Sequence, residues 1–330
     1  MVRGLISSIK TRIVDSPAIG LLFLAPIFGE LISVHQKPVD FLNPLTFVLL
    51  CLPYGLGAIL CREFWIRWTK HGFVALLLTG IAYGLFEEAI VVRSIFNPHW
   101  FELGNIASDT FSGGIQWTYG YMLLHFHAAI SMSASIITAE VLYPHRSNQQ
   151  WISNKNLACV FGTFLLWIPA GILFTRYFPN MFLYISAWLA IGFCLILANR
   201  LPIRRASPSD HQTPSPFIFY SIGAINTIVL FGGIFSLPEY VKIPLPLLVV
   251  GLLIFDIFSV YLIVRFTNNG ERWNDTHRLA FVSGLITFFL LFGISKDVKE
   301  QFSGSSIVSI LAILSIANLH RKIKDREDER

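Results

Sequence analysis

The sequence predicts an all-α polytopic membrane protein, a bundle of about ten transmembrane helices with both termini in the cytoplasm. Of its 330 residues, 54% are hydrophobic and only 14% are charged, whereas a soluble domain carries about 25% charged residues. The apolar residues gather in runs close to the roughly 20 residues that cross a bilayer core. The same composition excludes disordered, coiled-coil, collagen-like and small disulfide-bonded proteins.

Ten apolar runs follow one another along the chain, separated by short polar segments. They are 17–35, 42–61, 73–92, 117–142, 157–174, 181–199, 217–237, 244–266, 279–295 and 304–320. Segment 1–16 precedes them and has apolar residues at helical spacing beside cations, which predicts a helix on the membrane surface or, alternatively, a frayed terminus. The sequence therefore divides into a cytoplasmic segment 1–16, one transmembrane domain 17–320 and a charged cytoplasmic tail 321–330.

The positions of Lys and Arg predict the orientation of this domain. If the N-terminus is cytoplasmic, 19 of the 25 cations fall in the inner segments and 6 in the outer ones. This bias follows the positive-inside rule. The net charge of +5 is therefore interpreted as a determinant of topology and not as a nucleic-acid surface. We expect a multi-pass protein of the plasma membrane, of bacterial or archaeal type, whose partner is the lipid bilayer.

Ionisable residues inside the runs are few and concentrate in the first four. They are costly in a bilayer, which makes them the first functional candidates. Glu30 lies near the outer end of the first run, and Glu87 and Glu88 near the outer end of the third. His125 and His127 lie 8–10 residues into the fourth run. These five residues predict an outward-facing site for a cation, a proton or a small polar solute.

Helical spacing places these candidates on defined faces. Gly80, Gly84 and Glu88 recur at i, i+4 and i+8, a stripe of small residues that allows close helix approach and directs Glu88 into the bundle. His127, Ser131 and Ser135 share one face of the fourth run, and Tyr121, His125, Ala129 and Ser133 share the next. Three polar residues elsewhere are interpreted as helix-packing contacts: Glu140, Asn226 and Asp256.

Such a cluster suits several chemistries. Buried Glu and His can bind a cation or relay protons for transport. Glu88 as general base with His127 could instead activate water for hydrolysis within the membrane. Glu87, Glu88 and His127 could hold a divalent metal, although histidines at i and i+2 do not easily ligate one ion from a regular helix. No other cofactor is expected. The remaining alternative is a structural or partner-binding subunit in which these groups only join helices.

The outer loop 94–115 contributes further polar residues. It contains His99, Trp100, Glu102 and Asp109. The NPHW turn is followed by WFELGNI, which predicts either a short surface helix that covers the cluster from outside or a plain connecting loop.

Three stretches carry a resemblance to known membrane proteins. FEEAIVVRSIFNPHW, followed by HFHAAIS, and the later RWNDTHRLAFVSGLITFFLLF resemble a family of uncharacterised archaeal and bacterial polytopic membrane proteins. In that family an acidic pair precedes a basic residue, an aromatic residue and a turn with Pro and Trp. The resemblance spans most of the chain and implies the polytopic fold, without an activity.

The paired glutamates also resemble the motif of the CPBP-type glutamic intramembrane proteases, EExxxR with later His motifs. Glu87 and Glu88 match the pair, Arg93 the arginine and His127 the His of HxxxN, which would imply protease activity. The sequence departs from that pattern in three places. Arg93 is one residue too far along, Ser131 stands where Asn is expected, and both histidines share one run.

The number of spans is also similar to the layout of the drug/metabolite transporter superfamily, which has two inverted halves of five spans. Here the acidic and His residues crowd the first four runs, an asymmetry that argues against an inverted repeat.

Overall fold

The computed structural model describes residues 16–69, 72–103, 111–201, 213–241, 243–300 and 304–329. These residues form helices almost throughout, which confirms the predicted all-α bundle. In chain order the helices are α1 (Pro17–Ile32), α2 (Pro38–Phe41), α3 (Pro44–Trp68), α4 (Phe73–Val91), α5 (Trp117–Leu142), α6 (Asn154–Thr175), α7 (Met181–Arg200), α8 (Pro216–Phe235), α9 (Leu237–Tyr240), α10 (Leu245–Thr267), α11 (Asp275–Glu300) and α12 (Ser305–Asp328). The predicted surface helix falls on 1–15, outside the described residues.

Within the described residues, nine helices are long and apolar enough to cross a membrane. They are α3 to α8, α10, α11 and α12. The first predicted run, 17–35, corresponds to α1, which is apolar but ends at Ile32 and is shorter than the nine others. At the other end of the chain, α12 continues through most of the charged tail to Asp328.

The helices differ in how much of their surface the bundle covers. In the most apolar part of α4 and α5, 72% of the residues are buried, against 11% in α6 and α7. We expect the exposed apolar faces of α6 and α7 to contact lipid tails. Lipid tails are themselves apolar, so no hydrophobic driving force buries these faces in the bundle. The two central helices, α4 and α5, are therefore the scaffold on which a buried site can be built.

Small residues set the closest helix crossings. A Cβ added to Gly80 of α4 would lie 2.7 Å from the Ala128 Cα of α5, and one added to Gly84 would lie 3.0 Å from the His127 Cβ. The small-residue stripe predicted from the sequence therefore faces α5. The α8 and α11 pair makes the same kind of approach, since a Cβ at Gly284 would lie 2.1 Å from the Tyr220 carbonyl oxygen.

Four of the helices contain a π-helical segment. These segments are Ile27–Ile32 in α1, Cys51–Gly55 in α3, Phe86–Val91 in α4 and His127–Ala134 in α5. Proline accounts for two of them. Pro26 precedes the first and Pro53 lies within the second, and a proline removes one backbone hydrogen bond and crowds the preceding turn.

A two-stranded antiparallel hairpin closes one end of the bundle. β1 (Phe111–Ser112) pairs with β2 (Ile115–Gln116), in the register Phe111 to Gln116 and Ser112 to Ile115. Gly113 and Gly114 join the strands with φ of 61° and 81°, the left-handed pair that a tight two-residue turn requires. In the orientation predicted from the charge bias, this end of the bundle is the outer one.

Candidate functional site

The four π-helical segments converge in the outer half of the bundle. Their polar side chains include Glu30 in α1, Tyr54 in α3, Glu87 and Glu88 in α4, and His127 in α5. A π-helical turn rotates the residues that follow it relative to a regular helix, and such turns are frequent at functional sites. We call Glu30, Glu87, Glu88 and His127 the outer cluster.

Glu88 and His127 form the centre of the outer cluster. His127 Nε2 lies 2.8 Å from Glu88 Oε1, and the Ser94 hydroxyl donates to the other carboxylate oxygen of Glu88. The imidazole is 1% exposed and Glu88 is 8% exposed. The Tyr83 ring meets the imidazole edge-on at 5.4 Å between ring centroids. The pair is therefore held from several sides within the helix bundle.

Glu87 points to the neighbouring side of α4. The Tyr83 hydroxyl and Trp167 Nε1 each lie 3.4 Å from one of its carboxyl oxygens. The Tyr83 ring occupies space left by Gly57, since a Cβ there would lie 2.2 Å from the ring. Adjacent residues of a helix differ by about 100° in direction, and Glu87 and Glu88 accordingly have different partners.

Glu30 joins the outer cluster from α1. It is 5% exposed, and its carboxyl is in hydrogen-bonding contact with the Tyr54 hydroxyl. Tyr54 in turn stacks on the His127 imidazole at 6.2 Å between ring centroids. Gly29 leaves the space for Tyr54, because a Cβ there would lie 2.5 Å from the ring. The sequence predicted Glu30 as a candidate, but Tyr54 carried no signal beyond its aromatic class.

Several polar atoms of this region have no hydrogen-bond partner among the described residues. They are Glu30 Oε2, His127 Nδ1, Ser131 Oγ and Ser133 Oγ. Buried polar atoms are normally satisfied. These atoms therefore have hydrogen-bonding capacity that the described protein groups do not use.

An ion pair covers the outer cluster at its outer end. His35 Nε2 lies 3.3 Å from Glu102 Oε1 and 4.0 Å from Glu30. The Tyr119 hydroxyl donates to Glu102 at 2.7 Å. The chain forms turns up to Leu103, so the surface helix predicted for WFELGNI does not form in its described part. The hydrogen bond from His35 holds the pKa of Glu102 below its ordinary value and raises the pKa of His35 to about 9.

The contact between His35 and Glu102 predicts a pH-dependent contribution to stability. A raised His pKa stabilises the fold fully below the unfolded value of about 6.5, and this stabilisation is lost as pH rises through about 9. We expect His35→Gln to lower the melting temperature in detergent at pH 7 and to have a much smaller effect at pH 10. Equal effects at both pH values would contradict the ion pair. Glu102→Gln serves as the control, because in that background His35→Gln should lose its pH dependence.

The structure separates His125 from the other four predicted residues. His125 Nδ1 lies 2.8 Å from Asp256 Oδ2 of α10. The Tyr121 hydroxyl donates to the same oxygen at 2.5 Å, and Asn226 Nδ2 donates to the other oxygen at 2.8 Å. Asp256 therefore has an interhelical partner in each of α5 and α8. The sequence predicted Asn226 and Asp256 as packing residues but did not pair His125 with them.

A second buried ionic network lies at the inner end, and the sequence interpretation overlooked most of it. Arg62 Nη1 lies 2.9 Å from Glu63 Oε1, and Arg62 Nε lies 2.9 Å from Glu140 Oε1. The Arg62 guanidinium stacks on Trp151 at 3.7 Å from the ring centroid. Arg67 closes the network at 2.7 Å from Glu63. The predicted span 42–61 ended one residue before Arg62. The observed helix α3 continues through Arg62 and Glu63 to Trp68.

The geometry gives little support to two of the sequence hypotheses. Within the described residues, no three His, Cys, Asp or Glu side chains are arranged to hold a metal ion, so the divalent metal has no support from donor geometry. Arg93 donates to Thr175 Oγ1 at 2.6 Å, and within the described residues it forms no ion pair with the glutamates.

Comparison with known proteins gives a family but no activity. Residues 20–321 match the model of an uncharacterized membrane protein family, which covers nearly the whole chain. No curated protein and no solved structure matches the chain. Because the match covers nearly the whole chain, the chain belongs to this membrane protein family.

Proposed function

We propose that this protein transports a proton or a small monovalent cation across the plasma membrane and that the outer cluster is its binding site. The observation that carries the proposal is the charge composition of the site. The outer cluster contains three carboxyl groups and one imidazole, with His35 4.0 Å from Glu30, and among the described residues no Lys or Arg lies within 4.0 Å of these groups. Carboxylates in a bilayer must be neutralised, and a bound proton or cation would do so.

A line of polar side chains on α5 also supports transport. Ser131 and Ser135 follow His127 at successive turns, and Glu140 lies near the inner end of the same helix. Ser131 is fully buried and its hydroxyl has no partner among the described residues. Glu140 belongs to the inner ionic network. Hydroxyl and carboxyl groups at helical spacing are the groups from which proton relays in membranes are built.

The test is proton entry into proteoliposomes that contain trapped pyranine, driven by a membrane potential. We expect His127→Phe to lower the initial rate of proton entry at least about tenfold. A positioned side chain that transfers a proton contributes about a hundredfold or more to a reaction rate. Phe keeps a ring between Tyr54 and Tyr83. His99→Phe is the control, because His99 is exposed in the outer loop. Entry of radioactive sodium in a parallel experiment distinguishes a proton from a metal cation.

Hydrolysis within the membrane is the second candidate, favoured by the 2.8 Å contact between Glu88 and His127. Glu88 would act as general base toward a water molecule, and His127 would orient that water or the developing oxyanion. If the protein is such a hydrolase, either Glu88→Gln or His127→Ala should block cleavage, and a lipid-embedded substrate should accumulate uncleaved. If both variants only lower the melting temperature, without accumulated substrate or altered flux, the cluster is structural.

A further inference from the structure

A cavity of about 420 Å³ lies between α4, α5, α8, α10 and α11, separate from the outer cluster. Its wall is apolar except in one place. There Tyr121, His125, Asn226, Asp256 and Ser259 meet. A largely apolar cavity of this volume, with a few convergent polar groups, has the character of a small-molecule site.

Asp256 is the polar group best placed to meet a ligand in this cavity. Its side chain is 16% exposed, although three donors already hold it: the Tyr121 hydroxyl, His125 Nδ1 and Asn226 Nδ2. A carboxylate has about four acceptor positions, so one position is left for a further donor. The three fixed donors also prevent the carboxylate from turning away from the cavity.

The charged residues of the cavity wall indicate whether a ligand there is a cation or an anion. Among the described residues that line the cavity, Asp256 is the one acidic residue, His125 is the one base, and there is no Lys or Arg. The wall is therefore neutral when the imidazole carries a proton and negative when it does not. A cation is therefore favoured over an anion when the imidazole is neutral, whereas a protonated imidazole leaves the wall without a preference for either sign.

The depth of Asp256 excludes the ordinary lipids of the bilayer. It is the twelfth of 23 residues in α10, about 17 Å from either end at 1.5 Å per residue. Phospholipid headgroups lie outside the hydrocarbon core, which is about 30 Å thick. An ordinary acyl chain in the cavity would bring no polar group to this depth.

We propose that this cavity binds a hydrophobic amine whose protonated nitrogen meets Asp256 while its hydrocarbon part fills the apolar space. The nitrogen supplies the donor for the remaining acceptor position of the carboxylate. The walls from α4 and α10, including Leu77 and Leu253, contact the hydrocarbon part. This site is independent of the proposed proton or cation site.

Photolabelling of the full-length protein in nanodiscs tests this site. The probes are three decyl chains with the same diazirine, ending in an amine, a hydroxyl or a methyl group. We expect the amine probe to label peptides of α4 and α10 about tenfold more than the methyl probe, as a charge-assisted hydrogen bond predicts. Excess decylamine should remove this labelling, and excess decanol should not.

Asp256→Asn should reduce amine labelling to the level of the methyl probe while leaving methyl labelling unchanged. The unchanged methyl labelling is the check that the cavity still forms. Equal labelling by all three probes in the wild-type protein would overturn the proposal, whatever the variant does. Amine labelling that persists in Asp256→Asn would also overturn it.

Discussion

Arg62→Met is expected to destabilise the protein by about 3–5 kcal/mol, the range found when one partner of a buried ion pair is removed. Arg62 and Glu63 are both fully buried. The substitution takes the guanidinium away from both Glu63 and Glu140 and ends the stacking on Trp151. Buried Glu140 would then lose this ion-pair partner, while Glu63 would keep its ion pair with Arg67.

The measurement is the free energy of unfolding from denaturant titration in detergent micelles. Arg265→Met is the matched control, since Arg265 lies exposed on α10 and contacts only the hydroxyl of Tyr261 among the described residues. Its effect should stay within about 0.5 kcal/mol. Glu140→Leu added to Arg62→Met should recover part of the loss, because it removes one of the two buried carboxylates with which Arg62 pairs. A loss below 1 kcal/mol for Arg62→Met would show that the network contributes little.

The sequence was sufficient to predict the fold class because apolar run length and charge bias respond directly to the bilayer. The α5 prediction, 117–142, coincides with the observed helix. The predicted bounds of a span are wrong where a charged residue lies inside the helix. The predicted second run ended before Arg62 because an unpaired charge argues against a span, and the pairing with Glu63 and Glu140 is a long-range property that hydropathy does not contain.

The outer cluster was predictable in composition but not in its partners. Glu88 and His127 were predicted to belong to one site between α4 and α5, and the Gly80 and Gly84 stripe does bring these helices together. His125 was assigned to the same site because it lies at nearly the same depth in the fourth run as His127. The regular helix ends there and the π-helical segment begins at His127, and His125 instead contacts Asp256. No pattern in the sequence indicated this π-helical segment.

The most direct test of the account is the rate of proton entry into proteoliposomes containing Glu88→Gln. Gln keeps the shape of the side chain but can neither bind the proton nor form an ion pair with His127. We expect entry to fall at least about tenfold, while Glu271→Gln, in the exposed loop after α10, leaves it unchanged. Normal entry with Glu88→Gln, together with loss of entry for Asp256→Asn, would contradict the assignment of the outer cluster as the transport site.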